Sequence, residues 1–417
     1  MSIASWTFAS FVALVLAAYR LTPPPYRRLV LLGASIVFYA WAFPAHAVVL
    51  ALLALGTWLV GRRVVPGTAG RTRLLAWAVT ALLLVLGAYK YADMAEQTAA
   101  VLLSAVGLAP LDLPRLVAPL GLSYATFMLV HYLAELYRGN ATPARDFTDF
   151  ALYAFFFPTA VSGPIKRYPQ FVSDLDEDRR LTLEDVSAGV GRIIFGLFKK
   201  VVVADLLIAW TVPLTDRPGV QDPLALLVAV YAYAFVIYFD FSGYSDMANG
   251  VARLFGFTII ENFEHPYLRS DLSRFWRTWH ISLTRFITEN IYIPLGGSRR
   301  GSLRTAGNTM VAMLASGLWH GAAWHYVVWG GLHGAGLIVA RAWGGLLGRV
   351  GAAWPAFGRA REHRAGRAAG WALGTGVTFN FVAMLWVVFL LPLSDALVVW
   401  ERIGRAVVRA LMHAVGW

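Results

Sequence analysis

The chain has 417 residues, of which 58% are hydrophobic, 14% aromatic and only 14% charged. Soluble domains carry roughly a quarter charged residues, so this composition excludes an ordinary soluble protein, a disordered chain and a fibrous protein. Apolar stretches of membrane-spanning length recur along the sequence, which predicts an all-α polytopic membrane protein. The chain has no cysteine, so disulfides, cysteine-ligated zinc and a thiol nucleophile are excluded.

The formal net charge of +12 comes almost entirely from arginine, because the chain has only four lysines. The arginines concentrate in short connectors between apolar stretches, including 27–28, 62–63, 299–300 and 359–367. Short basic connectors are typical of the cytoplasmic loops of membrane proteins. No basic segment carries interleaved aromatic residues, so we expect no nucleic acid partner.

The first apolar stretch, 3–19, lacks a preceding basic segment and is followed by arginines. This charge order predicts a retained first helix whose C-terminal end is cytoplasmic, and not a cleaved signal peptide. The tail, 398–416, is less apolar and is predicted to be an interfacial amphipathic helix. Counting about 20 residues per span gives about 11 transmembrane helices. The further spans are predicted near 29–43, 46–61, 74–89, 97–109, 116–134, 148–164, 188–210, 222–241, after 305 and at 370–396.

The segment 262–300 is too polar to span a membrane, yet it is rich in aromatic residues. Its apolar side chains recur with helical spacing, which predicts one amphipathic helix that is interfacial or re-entrant. His280 falls on the apolar stripe, so this helix would carry an imidazole toward the membrane interior. The stripe consists of Phe275, Trp276, Trp279, Leu283, Phe286 and Ile287.

The stretch between Arg304 and Arg341 contains no Asp, Glu, Lys or Arg. As one straight helix it would be roughly 54 Å long, against a membrane core of ~30 Å, so we expect it to be tilted, kinked or split at a glycine. Three histidines lie inside it, but their spacing does not suit a shared metal ion. The glycine-rich run 330–336 lacks the features of a phosphate loop and is predicted to pack against another helix.

Acid–base chemistry suits one of these histidines. A neutral imidazole accepts a proton from a hydroxyl near neutral pH, and ionisable groups at membrane depth are usually functional. His320 lies near the middle of the uncharged stretch. The residues alone leave two interpretations of His320 open: a general base, or a histidine that hydrogen-bonds a carbonyl in a kinked helix. For His325 and His333 they favour the structural interpretation.

A third polar segment, Tyr238–Asp246, is predicted to lie at a helix end or break. Asp240 and Asp246 are six residues apart, about 240° around a helix, so we expect no shared proton between them. Two roles stay open for these carboxylates: they could line a cavity or cap a broken helix. The stretch Gly243–Met247 lacks the second glycine of a serine hydrolase elbow, which disfavours that chemistry.

Seven motifs, which occur in family order across about 118–345, resemble the membrane-bound O-acyltransferase family in its bacterial cell-envelope branch. They are Gly121–Phe127, Phe157–Ile165, Tyr238–Asp246, Glu261–Phe263 with Pro266–Tyr267, Phe275–Ser282, Tyr292–Gly297 and Gly317–Gly321. The resemblance implies a ring of tilted helices around a central tunnel and the transfer of an acyl group from a thioester to a hydroxyl.

The same resemblance implies roles for individual residues. His320 matches the catalytic histidine of the family pattern, and His280 matches an upstream histidine that orients substrate or stabilises the oxyanion. Other polar and aromatic residues of the motifs are expected to line the tunnel. These are Asp240, Ser242, Tyr244, Asp246, Asn262, Trp276, Trp279, Ser282, Trp319 and Trp324.

The resemblance also implies one integral membrane domain in a bacterial plasma (inner) membrane. It would comprise N-terminal helices (1–115), a catalytic core (116–345) and a C-terminal basic loop with helices (346–417). We expect no tightly bound cofactor or metal. The expected partners are membrane lipid, a cytosolic acyl-CoA or acyl-carrier protein as donor, and an extracytoplasmic protein or polysaccharide as acceptor.

Two groups within the branch resemble different parts of the chain. The stretch 238–300 is more similar to proteins of alginate O-acetylation, whereas 157–165 and Thr378–Val382 are more similar to those that transfer D-alanine to teichoic acids. We favour acetyl transfer to an exported polysaccharide, with D-alanyl transfer as the alternative. An alternative of another class is a non-catalytic transporter or scaffold of an export complex, in which His280 and His320 line a path or satisfy buried backbone.

Overall fold

The computed structural model describes residues 1–41, 44–109, 116–177 and 181–415. Within these ranges every regular element is a helix, which confirms the predicted all-α class. The predicted domain boundary at 115 and the predicted span ends at 43 and 416 lie outside the described residues.

The helices are numbered in chain order. The first eight are α1 (Trp6–Leu21), α2 (Pro24–Ala40), α3 (Pro44–Gly61), α4 (Arg71–Ala105), α5 (Leu122–Arg138), α6 (Phe147–Phe155), α7 (Tyr168–Asp176) and α8 (Leu183–Leu197). The others are α9 (Asp205–Ile208), α10 (Val212–Thr215), α11 (Pro223–Leu254), α12 (Leu272–Thr278), α13 (Ile281–Ile287), α14 (Ser302–His320), α15 (Trp324–Ala353), α16 (Pro355–Glu362), α17 (Arg364–Leu390) and α18 (Leu393–Ala414). Two π-helical turns, Phe198–Ala204 and Thr288–Tyr292, continue α8 and α13.

Among the described residues, four helices are long and apolar enough to cross a membrane: α3, α4, α11 and α17. Large apolar side chains on them face outward; in α4, Trp77 and Leu84 are 74% and 67% exposed. Such exposure is favourable in lipid and unfavourable in water. The chain is therefore a multi-pass membrane protein. The predicted amphipathic tail is also helical, as α18, and buries Ala396, Val399 and Ile403.

Three predictions about element boundaries are wrong. The spans 74–89 and 97–109 form one helix, α4, because the connecting residues 90–96 include good helix formers such as alanine, lysine, methionine and glutamate and contain no glycine or proline. The span 148–164 is replaced by the short α6, which ends shortly before Pro158, a residue that cannot continue a helix. The basic connector 359–367 is helical except at His363, as α16 and the start of α17, because arginine also favours helix.

The chain forms two compact units, Met1–Phe198 with Gly243–Glu261, and Lys199–Ser242 with Asn262–Trp417. In the first unit, the motif Phe157–Ile165 forms consecutive turns after α6, and Lys166 follows it. The Lys166 ammonium is buried and donates to Thr159 Oγ1 at 2.8 Å, and burial lowers the pKa of Lys166 to about 7. This motif therefore organises the interior of the first unit.

The second unit contains the uncharged stretch, which is split as predicted: α14 ends at His320 and α15 begins at Trp324. The two helices then pack backbone to backbone. A Cβ at Gly317 would overlap the carbonyl oxygen of Tyr326, and a Cβ at Gly330 would overlap that of Met313. Only glycine allows this approach, so the predicted packing role of the glycine-rich run is confirmed at Gly330.

This packing predicts that Gly330→Ala destabilises the protein. The added methyl group would force α14 and α15 apart, a change that typically lowers the free energy of unfolding by about 1–3 kcal/mol. The midpoint temperature of unfolding in detergent micelles measures this. Gly331→Ala is the matched control, because its Cβ would meet only Leu314 Cδ2, at 3.6 Å. Equal midpoints for the two variants would contradict this account of the contact.

Candidate active site

The second unit places His280 in a strained turn. The apolar stripe Phe275–Ile287 is buried as expected, but it is not one helix: α12 ends at Thr278 and α13 begins at Ile281. His280 lies between them with φ +44°, in the left-handed region that non-glycine residues rarely adopt. The prediction of a continuous amphipathic helix is therefore wrong. Hydrophobic spacing does not reveal a break of two residues when the stripe resumes on the buried side.

Asn262 holds this turn in place. Its side chain is fully buried, and its Oδ1 accepts hydrogen bonds from Ser282 Oγ at 2.7 Å and from the Ser282 backbone N–H at 3.3 Å. Its backbone carbonyl accepts from the N–H of Ile281 at 2.9 Å. The first N–H groups of a helix need such partners, so Asn262 acts as a cap for α13 that comes from elsewhere in the chain. Asn262 and Ser282 thus fix the position of His280.

The His280 ring lies among aromatic side chains. Its centroid is 4.7 Å from Phe241, 5.5 Å from Trp319 and 6.4 Å from His320. The side chain is 1% exposed, and neither ring nitrogen has a hydrogen-bond partner among the described residues. Burial, together with the neighbouring His320, lowers the pKa of His280 well below its usual value. His280 is therefore a neutral imidazole with one donor and one acceptor.

His320 is the last residue of α14 and is partly exposed, so a ligand can reach it. Its ring contacts Trp319, Trp329 and Phe389, with centroids 4.9, 5.2 and 5.1 Å away. All three rings meet it edge to face. The structure thus brings together His280 and His320, the two histidines that the sequence singles out, and surrounds them with aromatic side chains.

The other two histidines of the stretch lie in different surroundings. His333 is fully buried, packs against Trp276 and Trp329, and has no hydrogen-bond partner among the described residues. His325 is partly exposed and lies against Tyr326, with ring centroids 4.1 Å apart.

The predicted tunnel tryptophans divide into two groups. Trp276, Trp279 and Trp319 are buried in the second unit, and Trp279 packs against Phe275 and Trp386. Trp324 begins α15, and its side chain is 55% exposed.

The segment Tyr238–Asp246 lies inside the continuous helix α11, so the predicted helix end or break is wrong. Its apolar and small residues support an uninterrupted helix, and the polar residues gain partners from neighbouring elements. Asp240 forms an ion pair with Lys200, which lies in the π-helical turn Phe198–Ala204. Ser242 is buried, and its hydroxyl has no partner among the residues that the structure describes.

Tyr244 and Asp246 belong to the first unit, where each has its own partners. Tyr244 hydrogen-bonds to the backbone of Ser162. Asp246 accepts from Arg192 at 2.9 Å, and Arg192 also binds Glu261. Because Asp240 and Asp246 are each paired with a different cation, neither needs a proton shared with the other, which agrees with the prediction.

Sequence reasoning missed these basic partners and a groove in the second unit. The only sequence signal for the basic partners was that two of the four lysines are adjacent, at 199–200. The groove has a volume of about 580 Å³ and is formed by α12 to α15. Arg277 and Arg341 line it together with many hydroxyls, and Trp276 and Ser316 also line it. These residues are spread over about 70 positions, from Ser273 to Ala342, so no local motif reports them.

Comparison with known proteins identifies the family of this chain. The family profile described as MBOAT, membrane-bound O-acyltransferase family, matches residues 141–353, just over half of the chain. The chain is 37% identical over 340 residues to the probable alginate O-acetylase of Azotobacter vinelandii, covering 80% of this chain and 67% of that protein. The Helicobacter pylori peptidoglycan O-acetyltransferase is 32% identical over 301 residues, 66% of this chain and 54% of that protein.

A third relative, the teichoic acid D-alanyltransferase of Streptococcus thermophilus, is 30% identical over 239 residues, 54% of this chain and 57% of its own length. The family match includes both histidines, the Asn262 cap and the groove. The chain therefore belongs to the membrane-bound O-acyltransferase family, whose members transfer acyl groups to hydroxyls.

Proposed function

We propose that the protein transfers an acyl group, acetyl in the first instance, from a cytosolic thioester to a hydroxyl of an exported cell-envelope polysaccharide or of a partner protein. The observation that carries the proposal is the pair of histidines, with a buried neutral His280 6.4 Å from a reachable His320. The similarity to alginate and peptidoglycan O-acetylating proteins supports acetyl as the group.

In the reaction, His320 acts as a general base. It removes the proton from the acceptor hydroxyl as that oxygen attacks the thioester carbonyl. A C–O bond forms, the C–S bond breaks, and the departing thiolate takes the proton back from the imidazolium. His280 donates a hydrogen bond to the oxyanion or orients the reacting carbonyl, and such a donor gains strength where water is excluded.

The groove is a suitable donor site. Acyl-CoA and the prosthetic arm of a carrier protein both present phosphate and a long flexible chain, and arginine and hydroxyl groups bind these chemistries. Arg299, Arg300 and Arg304 lie beside the start of α14, which favours a cytoplasmic position for that end. Ser316 lies one helical turn before His320, so the groove leads toward the reacting histidine.

The wider setting follows from the family. We propose that the protein resides in a bacterial plasma membrane and works with membrane lipid, a cytosolic donor or carrier protein and an extracytoplasmic acceptor. The count of about 11 spans and the ring around a central tunnel stay predictions from sequence and resemblance. D-alanyl transfer to a teichoic-acid-like polymer is the second candidate, supported by similarity to D-alanyltransferases over about half of the chain.

Removing either histidine tests the mechanism. We expect His320→Ala and His280→Ala to lower the rate of acyl transfer by about 10²–10⁴-fold, since general acid–base groups contribute this much. Thioester consumption and acylated product are measured with purified protein that retains the wild-type unfolding midpoint. The matched control is His413→Ala, because His413 is exposed on α18.

Wild-type rates in both variants would contradict the histidine mechanism. If the wild-type protein consumes neither acyl-CoA nor a carrier-bound thioester, the transporter or scaffold interpretation replaces the enzymatic one. Comparison of acetyl and D-alanyl thioesters separates the two candidate acyl groups.

The Asn262 cap predicts a positioning effect. Asn262→Ala removes the hydrogen bonds from Ser282 to the side chain, so the His280 turn loses its support, and a misplacement of ~1 Å lowers a reaction rate about 100-fold. We expect kcat to fall while the KM for the donor changes little. Ser282→Ala keeps the backbone hydrogen bond to Asn262 and should have a smaller effect. An unchanged kcat in Asn262→Ala would show that the cap does not position His280.

The groove predicts a defect in donor binding. Arg341→Gln should raise the donor KM about 5–30-fold at low salt, because charge-assisted hydrogen bonds to phosphate contribute about 1–2 kcal/mol. The difference from wild type should shrink as ionic strength rises. Arg409→Gln, on the exposed face of α18, is the matched control. An unchanged donor KM in Arg341→Gln would place donor binding elsewhere.

A further inference from the structure

Tyr326 contacts the chain both before and after His320. The Tyr326 carbonyl oxygen lies against Gly317, one turn before His320, and the Tyr326 ring lies against Gly321, the residue after it. A Cβ at Gly321 would overlap the ring edge and lie 2.9 Å from Cζ, the carbon that carries the hydroxyl. The position of Tyr326 relative to His320 is therefore fixed by its backbone contact with Gly317 and its ring contact with Gly321.

Tyr326 and His320 also share one neighbour, Phe389 of α17. Each ring centroid is 5.1 Å from that of Phe389, at interplanar angles of 77° for Tyr326 and 80° for His320. The imidazole and the phenol thus contact the same ring edge to face. Edge-to-face pairs of this kind restrict the orientation of both partners.

The Tyr326 hydroxyl is available to a ligand. The side chain is partly exposed, and among the described residues no group hydrogen-bonds to its oxygen. Burying a hydroxyl on ligand binding is unfavourable unless it gains a partner. A polar group that approaches His320 along this side would supply that partner.

The direction of α14 indicates which of the two substrates approaches Tyr326. The proposed donor groove is lined from the start of α14 as far as Ser316, which is before His320. The Tyr326 ring instead lies against Gly321, the residue that follows His320 at the C-terminal end of the helix. The donor groove and the Tyr326 ring therefore lie on opposite sides of His320 along the helix, so a donor that fills the groove leaves the Tyr326 side of His320 to the acceptor.

We propose that Tyr326 binds the acyl acceptor and orients its attacking hydroxyl toward His320. A phenol both donates and accepts one hydrogen bond, which suits the paired hydroxyls of a sugar. His320 alone takes the proton, and the tyrosine stays neutral throughout. This inference rests on the proposed acyl transfer and adds the residue that binds its acceptor.

The test replaces Tyr326 by phenylalanine, which keeps the ring contacts with Gly321 and Phe389 and removes only the hydroxyl. With acetyl-CoA as donor and alginate oligosaccharides as acceptor, we expect the acceptor KM to rise about 3–10-fold, the effect of one lost hydrogen bond, while the donor KM keeps its wild-type value. Tyr231→Phe is the matched control, because its hydroxyl bonds to Asn380 at 2.5 Å in the same unit.

A second measurement is independent of turnover. The same oligosaccharides should raise the unfolding midpoint of wild-type protein more than that of Tyr326→Phe, since ligand binding stabilises the folded state by mass action. An unchanged acceptor KM and an equal midpoint shift would overturn the role of Tyr326. A rise in donor KM alone would assign Tyr326 to the donor and also overturn it. Absence of any thioester consumption by the wild-type protein would instead overturn the proposed function.

Discussion

The position of His320 depends on two glycines that let α14 and α15 meet backbone to backbone. With any side chain at Gly317 or Gly330 the helices would separate, because the added carbon would overlap a carbonyl of the opposite helix. Their contact forces the chain to reverse direction within three residues after His320, so the histidine ends one helix beside the start of the next. Trp329, one and a half turns into α15, then reaches the imidazole. A single straight helix would carry the same residues without bringing them around one point.

The second histidine is positioned by a different device. His280 occupies a left-handed backbone conformation that its side chain does not favour, and Asn262 compensates by bonding the N–H groups that the turn exposes. The strained residue, His280, and the compensating residue, Asn262, are 18 positions apart in the chain, and both are fully buried. Strain of this kind persists where surrounding contacts determine the backbone, which is typical of sites that need a fixed geometry.

The sequence predicted the membrane character, the helical class and the split of the uncharged stretch, and the family resemblance implied that His280 and His320 share a site. Each of these follows from features that are local or repeated: apolar length, the absence of charge, glycine content and a short motif. The break at His280 was missed because the spacing of Phe275, Trp276 and Leu283 is the same with or without it. The Lys200–Asp240 pair and the groove were missed because they join residues distant in the chain, which only the fold brings together.

The aromatic surround of His320 constrains the chemistry as well as the geometry. In the proposed mechanism the His320 imidazole accepts a proton and becomes a cation next to aromatic rings. The charge that forms at the same moment on the thioester oxygen is negative, and opposite charges attract strongly where the effective dielectric constant is low. In the proposed mechanism, proton transfer to His320 and attack on the carbonyl are therefore coupled, since each stabilises the charge that the other creates. The chain has no cysteine, so we propose that the acyl group passes directly from donor to acceptor, with no thiol relay between these two events.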